Sequence, residues 1–268
     1  MCKLCRSGVE CGTIGRSVSG AHLVYFHLGP KSGDQIIIQG GIHAREWVTA
    51  LLVERQVETL MCEDLPLGVY FLPMTNPDGA TLVQRGAEAF PEYAASLLAV
   101  NGHNDFSMWK ANLRAVDLNC NFEAKWGTGE SNVTEPAPSS FIGYLSVSEP
   151  ETRALVRFTR AVKPIATVSY HALGREVYYE FGQKGERLAR DRHIAEITAD
   201  ALGYRLVHGD LGSAGGYKDW CVSELGIPAL TIEIISERFS HPLDESALEG
   251  EEKNLWLPKL LIETIKNS

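Results

Sequence analysis

The chain of 268 residues lacks any apolar run long enough to span a bilayer, and its opening Met1-Cys2-Lys3-Leu4-Cys5-Arg6-Ser7 lacks the apolar stretch of a secretory leader. The expectation is a cytoplasmic protein without a membrane partner. Positive charge is scarce as well: 25 Lys and Arg stand against 34 Asp and Glu, a net charge of −9. No basic stripe gathers those cations, which argues against a nucleic-acid partner. The six cysteines, Cys2, Cys5, Cys11, Cys62, Cys120 and Cys221, are too few and too scattered for a disulfide framework, so free thiols are expected. Cys2-x-x-Cys5 with Cys11 offers half of a second zinc site, but no complementary CxxC or HxxxH follows. No repeat, low-complexity tract or Pro/Gly/Ser-rich linker divides the chain. Residues 1–268 therefore read as one domain, and 44% hydrophobic content suffices for a large core.

Apolar strand-like runs at Ile36 to Gln39, Val69 to Met74, Ile165 to Tyr170 and Ala229 to Ile235 alternate with helical patterns at Val48 to Cys62, Glu149 to Ala161, Glu186 to Ala201 and Lys253 to Ile265. That alternation predicts an α/β fold, a mixed, mostly parallel twisted sheet with helices on both faces. Asn76-Pro77-Asp78-Gly79 carries turn chemistry after the second run, and Asn132 to Ser140, with two prolines, reads as a surface loop.

The richest chemistry lies just past the first strand. Gln39-Gly40-Gly41-Ile42-His43-Ala44-Arg45-Glu46-Trp47 puts an imidazole and a carboxylate three residues apart. Catalytic zinc usually takes three protein ligands, commonly two His and one Glu, and keeps a fourth position open. His171 supplies a third candidate at the end of Ile165-Ala166-Thr167-Val168-Ser169-Tyr170-His171. Glu233, inside the apolar Ala229-Leu230-Thr231-Ile232-Glu233-Ile234-Ile235, supplies a base. Each feature alone has an ordinary explanation: surface loops carry His-x-x-Glu, core histidines hydrogen-bond, and strand acids form ion pairs. Three such features at or near strand ends, where open α/β sheets place their sites, point to one metal centre. Of the other histidines, His22, His27, His103, His193, His208 and His241, only His208 lies near a pocket segment.

These segments resemble the zinc carboxypeptidases of the carboxypeptidase A/B type, in order and along nearly the whole chain. The resemblance implies one Zn²⁺ held by His43, Glu46 and His171, with Glu233 as catalytic glutamate. It also implies substrate contacts at Arg45 and Asn119, and Asp117 orienting His43. In Trp109-Lys110-Ala111-Asn112-Leu113-Arg114 it places an oxyanion-stabilising cation at Arg114, or at Lys110 when no gap is opened after the Trp. Where those enzymes carry Asn-Arg to clamp a free C-terminal carboxylate, this chain has Asn119-Cys120, and a thiol cannot replace a bidentate guanidinium. Their substrate-capping tyrosine falls near Leu211, leaving Tyr217 as its only nearby substitute. Their pocket position before Asp219 is Lys218, which favours a carboxylate-bearing side group.

Cys120 and Lys218, with Trp109-Lys110-Ala111-Asn112 and Gly215-Gly216-Tyr217-Lys218-Asp219-Trp220, resemble the bacterial branch that cleaves γ-D-glutamyl-meso-diaminopimelate bonds in peptidoglycan stem peptides. The implied partner is a small peptide or muropeptide. A conventional carboxypeptidase removing acidic residues, a zinc deacylase on the same fold and a non-catalytic binding protein are the rival readings. Retention of His43, Glu46, His171, Arg114 and Glu233 together speaks against the last.

Overall fold

The structure is a computed structural model that describes residues 4, 8–209 and 212–266. Its centre is a parallel ladder built from the four apolar runs: β3 (Gln35–Gln39), β4 (Gly68–Leu72), β5 (Ala166–Ala172) and β8 (Ala229–Ile234). Four further strands, β1 (Glu10–Arg16), β2 (His22–Leu28), β6 (Glu176–Tyr178) and β7 (Arg205–Val207), extend it to an eight-stranded mixed sheet of order β1-β2-β4-β3-β5-β8-β6-β7.

Seven α-helices accompany the sheet among the described residues: α1 (Val48–Leu60), α2 (Pro77–Arg85), α3 (Ala94–Asn101), α4 (Pro150–Val162), α5 (Gly185–Leu202), α6 (Tyr217–Trp220) and α7 (Leu257–Lys266). The central strands are largely apolar because both faces are covered. Ile36 and Ile38 belong to one core with Leu52 and Val53 of α1, Ile194 of α5 and Leu261 of α7, while Ile37 turns to the other face and a core with Leu155 of α4 and Trp220 of α6. Each such aliphatic side chain contributes roughly 1.5–3 kcal/mol by leaving water. A third core, with Leu82, Leu97, Phe106 and Trp109, supports the loop that leads to Lys110.

Asn76-Pro77-Asp78-Gly79 is a helix start rather than a free-standing turn. The Asn76 side chain accepts a hydrogen bond from the Gly79 amide at 3.0 Å, and Pro77 takes the first turn of α2, where a missing N–H costs nothing. The same residue types serve turns and helix caps, which is why the four residues alone did not tell the two apart.

Register brings the site together. Along the parallel ladder Gln39 lies beside Ser169, Ser169 beside Thr231, and His171 beside Glu233. The first ligand loop therefore leaves β3 at the level where β5 and β8 present His171 and Glu233. Gly41 adopts φ +60° in that loop, and a Cβ there would meet the Met74 sulfur at 2.6 Å, so neither the turn nor the space admits a side chain.

Candidate metal centre and substrate cavity

A short 3₁₀ turn over Ala44–Glu46 folds the chain back after β3, so His43 and Glu46 face one another. Backbone bonds from Ala44 to the Lys110 carbonyl (3.0 Å) and from Arg45 to the Trp109 carbonyl (2.9 Å) pin this turn to the neighbouring loop. His43 Nδ1 lies 2.9 Å from Glu46 Oε1, and His171 Nδ1 lies 3.1 Å from Glu46 Oε2 and 3.2 Å from His43 Nδ1. All three residues are buried. Two imidazole nitrogens and a carboxylate thus converge within 4.8 Å, a donor set that suits one zinc ion.

The electrostatics suit a cation too. Burial disfavours a charged His43, but the Glu46 and Asp117 carboxylates together outweigh it and lift the imidazole to about 9. Burial likewise opposes ionisation of Glu46, yet the charge of His43 and the His171 hydrogen bond hold it well below the usual carboxylate range. Burial pushes His171 down, favouring the neutral ring, which keeps one nitrogen lone pair available. On the far side of His43, Nε2 sits 3.3 Å from Asp117 Oδ1. Asp117 is anchored by the amides of Asn119 (3.1 Å) and Ser140 (2.9 Å), so it fixes the ring with Nδ1 toward the ligand centre.

Glu233 opens onto a cavity of about 270 Å³ that also reaches His43, Lys110, Asn119, Cys120, Lys218 and Asp219. Desolvation, then the charge of Glu46, pushes its carboxyl up to about 8, and a cation in the triad would oppose that shift. Of the two cations considered for the oxyanion, the structure brings Lys110 to the cavity, its Nζ 3.8 Å from Glu46 Oε1. Arg114 is not there. Asn112 closes a tight loop through bonds to Val116 and Arg114, and this loop carries the Arg114 guanidinium to a half-exposed position 3.7 Å from Glu149.

Tyr217 also departs from its expected place. Its ring is fully buried against Trp220 and Phe122, its hydroxyl pairs with Thr159 at 2.8 Å, and it does not line the cavity. It cannot replace a substrate-capping phenol, and Leu211 lies outside the described residues. Asn119 lines the cavity while its Oδ1 accepts from the Tyr217 amide at 3.1 Å. Gly215, at φ +81°, lets this segment lie against Cys120, whose carbonyl would be 2.6 Å from any Cβ. The Cys120 thiol faces the cavity, and burial with nearby Asp117 raises it above its ordinary value, so it is neutral and cannot bind a carboxylate by charge. Arg45 is partly buried beside the ligand turn, outside the cavity wall, and its Nε has no hydrogen-bond partner.

Lys218 does line the cavity, but its ammonium is not free. It lies 2.6 Å from Asp219 Oδ1 and donates to the Glu180 carbonyl at 2.7 Å. Sequence reasoning missed Tyr178, which lines the cavity from β6, and the wall formed by Ser131, Asn132 and Ser140. Alternation in Glu176-Val177-Tyr178, with Val177 buried in the core, was the available signal for Tyr178, and three residues are too few to raise it above noise. His208 contacts Tyr179 (3.0 Å) and Glu180 (3.5 Å) outside the cavity. Free thiols are found at Cys62, Cys120 and Cys221, whereas Cys11 is disulfide-bonded, which corrects the expectation and withdraws Cys11 from a second zinc site. No helix among the described residues is long and apolar enough to cross a membrane.

The chain is similar to known proteins. Over 250 residues the chain is 29% identical to gamma-D-glutamyl-L-diamino acid endopeptidase 1 of Lysinibacillus sphaericus, covering 87% of this chain and 62% of that relative. Bovine thrombin-activatable fibrinolysis inhibitor, solved with tick carboxypeptidase inhibitor, superposes with a TM-score of 0.79 at 22% identity over 99% of this chain and 94% of its own. Murein-tripeptide amidase MpaA from Escherichia coli O157 gives 0.61 at 24% identity, covering 94% and 91%. The family profile described as zinc carboxypeptidase matches residues 3–257. With this match across most of its length, the chain belongs to the zinc carboxypeptidase family.

Proposed function

We propose that this chain is a zinc metallopeptidase that hydrolyses the γ-D-glutamyl-meso-diaminopimelate amide bond in peptidoglycan stem peptides. The observation that carries the reading is the cavity beside Glu233. It retains Asn119 of the carboxylate clamp, replaces the guanidinium with the neutral Cys120, and places Lys218 in its wall. A pocket built for the main-chain carboxylate of an ordinary peptide would need that guanidinium. Its volume falls just under the roughly 300–1,000 Å³ of clefts that hold drug-sized ligands, which suits one amino-acid side chain. The names of the Lysinibacillus endopeptidase and of MpaA agree with a murein peptide substrate.

His43, Glu46 and His171 would hold a zinc ion, and when bound it would supply Lewis acidity for the attack of water on the scissile carbonyl. Asp117 keeps His43 oriented for that role. Glu233 accepts the proton of the attacking water and passes it to the departing amine. Lys110 stabilises the negative charge that develops on the scissile carbonyl oxygen, and losing such a donor costs about 3–4 kcal/mol in the barrier. The Arg114 guanidinium, tied to Glu149, serves the loop instead.

The test is incubation of the zinc-loaded protein with L-Ala-γ-D-Glu-meso-diaminopimelate, with Glu233→Gln as control and mass spectrometry as readout. Release of L-Ala-D-Glu by the wild type alone supports the reading. Release of C-terminal residues from ordinary peptides, with the γ bond untouched, returns the chain to conventional carboxypeptidase action, and release of N-acyl groups makes it a deacylase.

A further inference from the structure

Two buried acids at the start of α4 belong neither to the metal centre nor to the cavity wall. Glu149 and Glu151 are 3% and 0% exposed. Asn112, itself fully buried, donates through Nδ2 to Glu149 Oε2 at 2.8 Å and to Glu151 Oε2 at 3.3 Å. Breaking such a pairing leaves a buried polar group without water or partner, which costs more than the bond itself contributes.

The other end of the same side chain holds a loop. Asn112 Oδ1 accepts the amides of Arg114 at 2.9 Å and Val116 at 3.2 Å, while its own amide donates to the Val116 carbonyl and its carbonyl accepts from Ala115. Ala115 takes φ +58° there, a left-handed conformation that an alanine adopts only where its surroundings impose it. The closed loop has Lys110 on one side and Asp117 on the other. Lys110 borders the cavity 3.8 Å from Glu46, and Asp117 meets His43 at 3.3 Å. The start of α4 also reaches the next turn: the Glu149 amide donates to Asn121 Oδ1 at 3.2 Å, just past the cavity residue Asn119. One buried point thus supports Lys110, Asp117 and Asn119 together.

We propose that Asn112 and Glu149 are positioning residues of the hydrolysis, acting through the 112–116 loop to hold Lys110 against the scissile carbonyl and Asp117 against His43. These roles rest on those given above to Lys110 and Asp117, which Lys110→Met and Asp117→Asn test separately. A primary amide suits the task because it offers two donor protons and two acceptor lone pairs, and Asn112 uses both sides. Small displacements matter here, since misplacing a catalytic group by about 1 Å costs up to about 10²-fold in rate.

Glu149→Asp is the first variant. Glu149 occupies the N-cap position of α4, where aspartate is favoured, so the helix start is kept while the carboxylate is drawn one methylene back from Asn112. On the zinc-loaded protein with L-Ala-γ-D-Glu-meso-diaminopimelate, kcat is expected to fall about tenfold with KM within about twofold, because the displaced groups act in the transition state. The denaturant midpoint should stay at the wild-type value. Asn112→Asp turns both donors into acceptors facing two acids; it should lose up to about 10²-fold in kcat and bind zinc more weakly in chelator competition. Adding Glu149→Gln restores a donor opposite an acceptor and should recover most of both losses. Wild-type kcat in Glu149→Asp, a kcat loss that only tracks lost stability, or no recovery in the Asn112→Asp/Glu149→Gln pair would overturn the proposal. If Asn112→Asp does not fold, Glu149→Asp decides alone. Where the wild type leaves the γ bond intact, zinc affinity is the readout: a fall in the variants supports the anchor and refutes only the γ-bond reading, and wild-type affinity refutes the anchor.

Discussion

The metal centre and the cavity wall are built by different means. His171 and Glu233 sit on adjacent parallel strands whose register places them side by side, and His43 and Glu46 leave β3 through a turn pinned by backbone bonds. Much of the wall comes from loops, the stretch through Cys120, the 131–140 segment and the residues leading into α6, with Lys218 and Asp219 of the short α6 and Tyr178 of β6 completing it. Ladder register is fixed by a long series of hydrogen bonds and buried side chains, so a strand-end residue can be placed from its neighbours in sequence. A loop residue's direction depends on turns and side-chain bonds that a local pattern does not specify.

The largest expected effect tests the rigid half. Glu233→Gln should retain zinc at wild-type stoichiometry by atomic absorption and lose about 10²–10⁴ in kcat. Loss of metal along with activity would make Glu233 a ligand rather than a base. Next comes the contrast between the two cations. Lys110→Met should cost about 10²–10³ in kcat/KM, as removal of an oxyanion donor does. Arg114→Met should stay within a few-fold, and the opposite order would place Arg114 at the reacting carbonyl after all.

Asp117→Asn is a subtler probe of the same centre. It keeps the shape of the side chain but removes its charge beside His43, and zinc affinity measured by competition with a chelator should fall about 10–100-fold. The smallest effect lies outside both halves. Glu151, fully buried at the start of α4, accepts from the Val18 amide at 3.0 Å, and burial raises its carboxyl from 4.5 to about 7. Between those two values the folded chain holds a proton that the unfolded chain has released, so stability falls as pH rises through this window. Glu151→Gln should therefore raise stability above pH 7 by about 1–3 kcal/mol, and change little near pH 4. Denaturant melts of both proteins at the two pH values check the sign.

The same contrast explains what could be read from the sequence. The central strands were legible because burial on both faces demands continuous apolar runs, as in Ile36-Ile37-Ile38. The short strands β6 and β7, three residues each, gave no usable period. His43, Glu46, His171 and Glu233 stood out as polar groups at or near the ends of apolar strands. Arg114 and Tyr217 could not be placed this way: one is turned outward by the Asn112 loop, and the other is drawn into the core by Thr159 and Trp220. The pairing of Lys218 with Asp219 was invisible for a simpler reason, since adjacency in sequence does not say whether two charges point together.

The most direct test of the central account compares the γ-linked and α-linked isomers of one tripeptide, L-Ala-D-Glu-meso-diaminopimelate, on the zinc-loaded wild type and on Cys120→Arg. The account predicts faster cleavage of the γ isomer by the wild type, and a shift toward ordinary C-terminal release once the guanidinium is restored. Preference of the wild type for the α isomer, unchanged by Cys120→Arg, would contradict it.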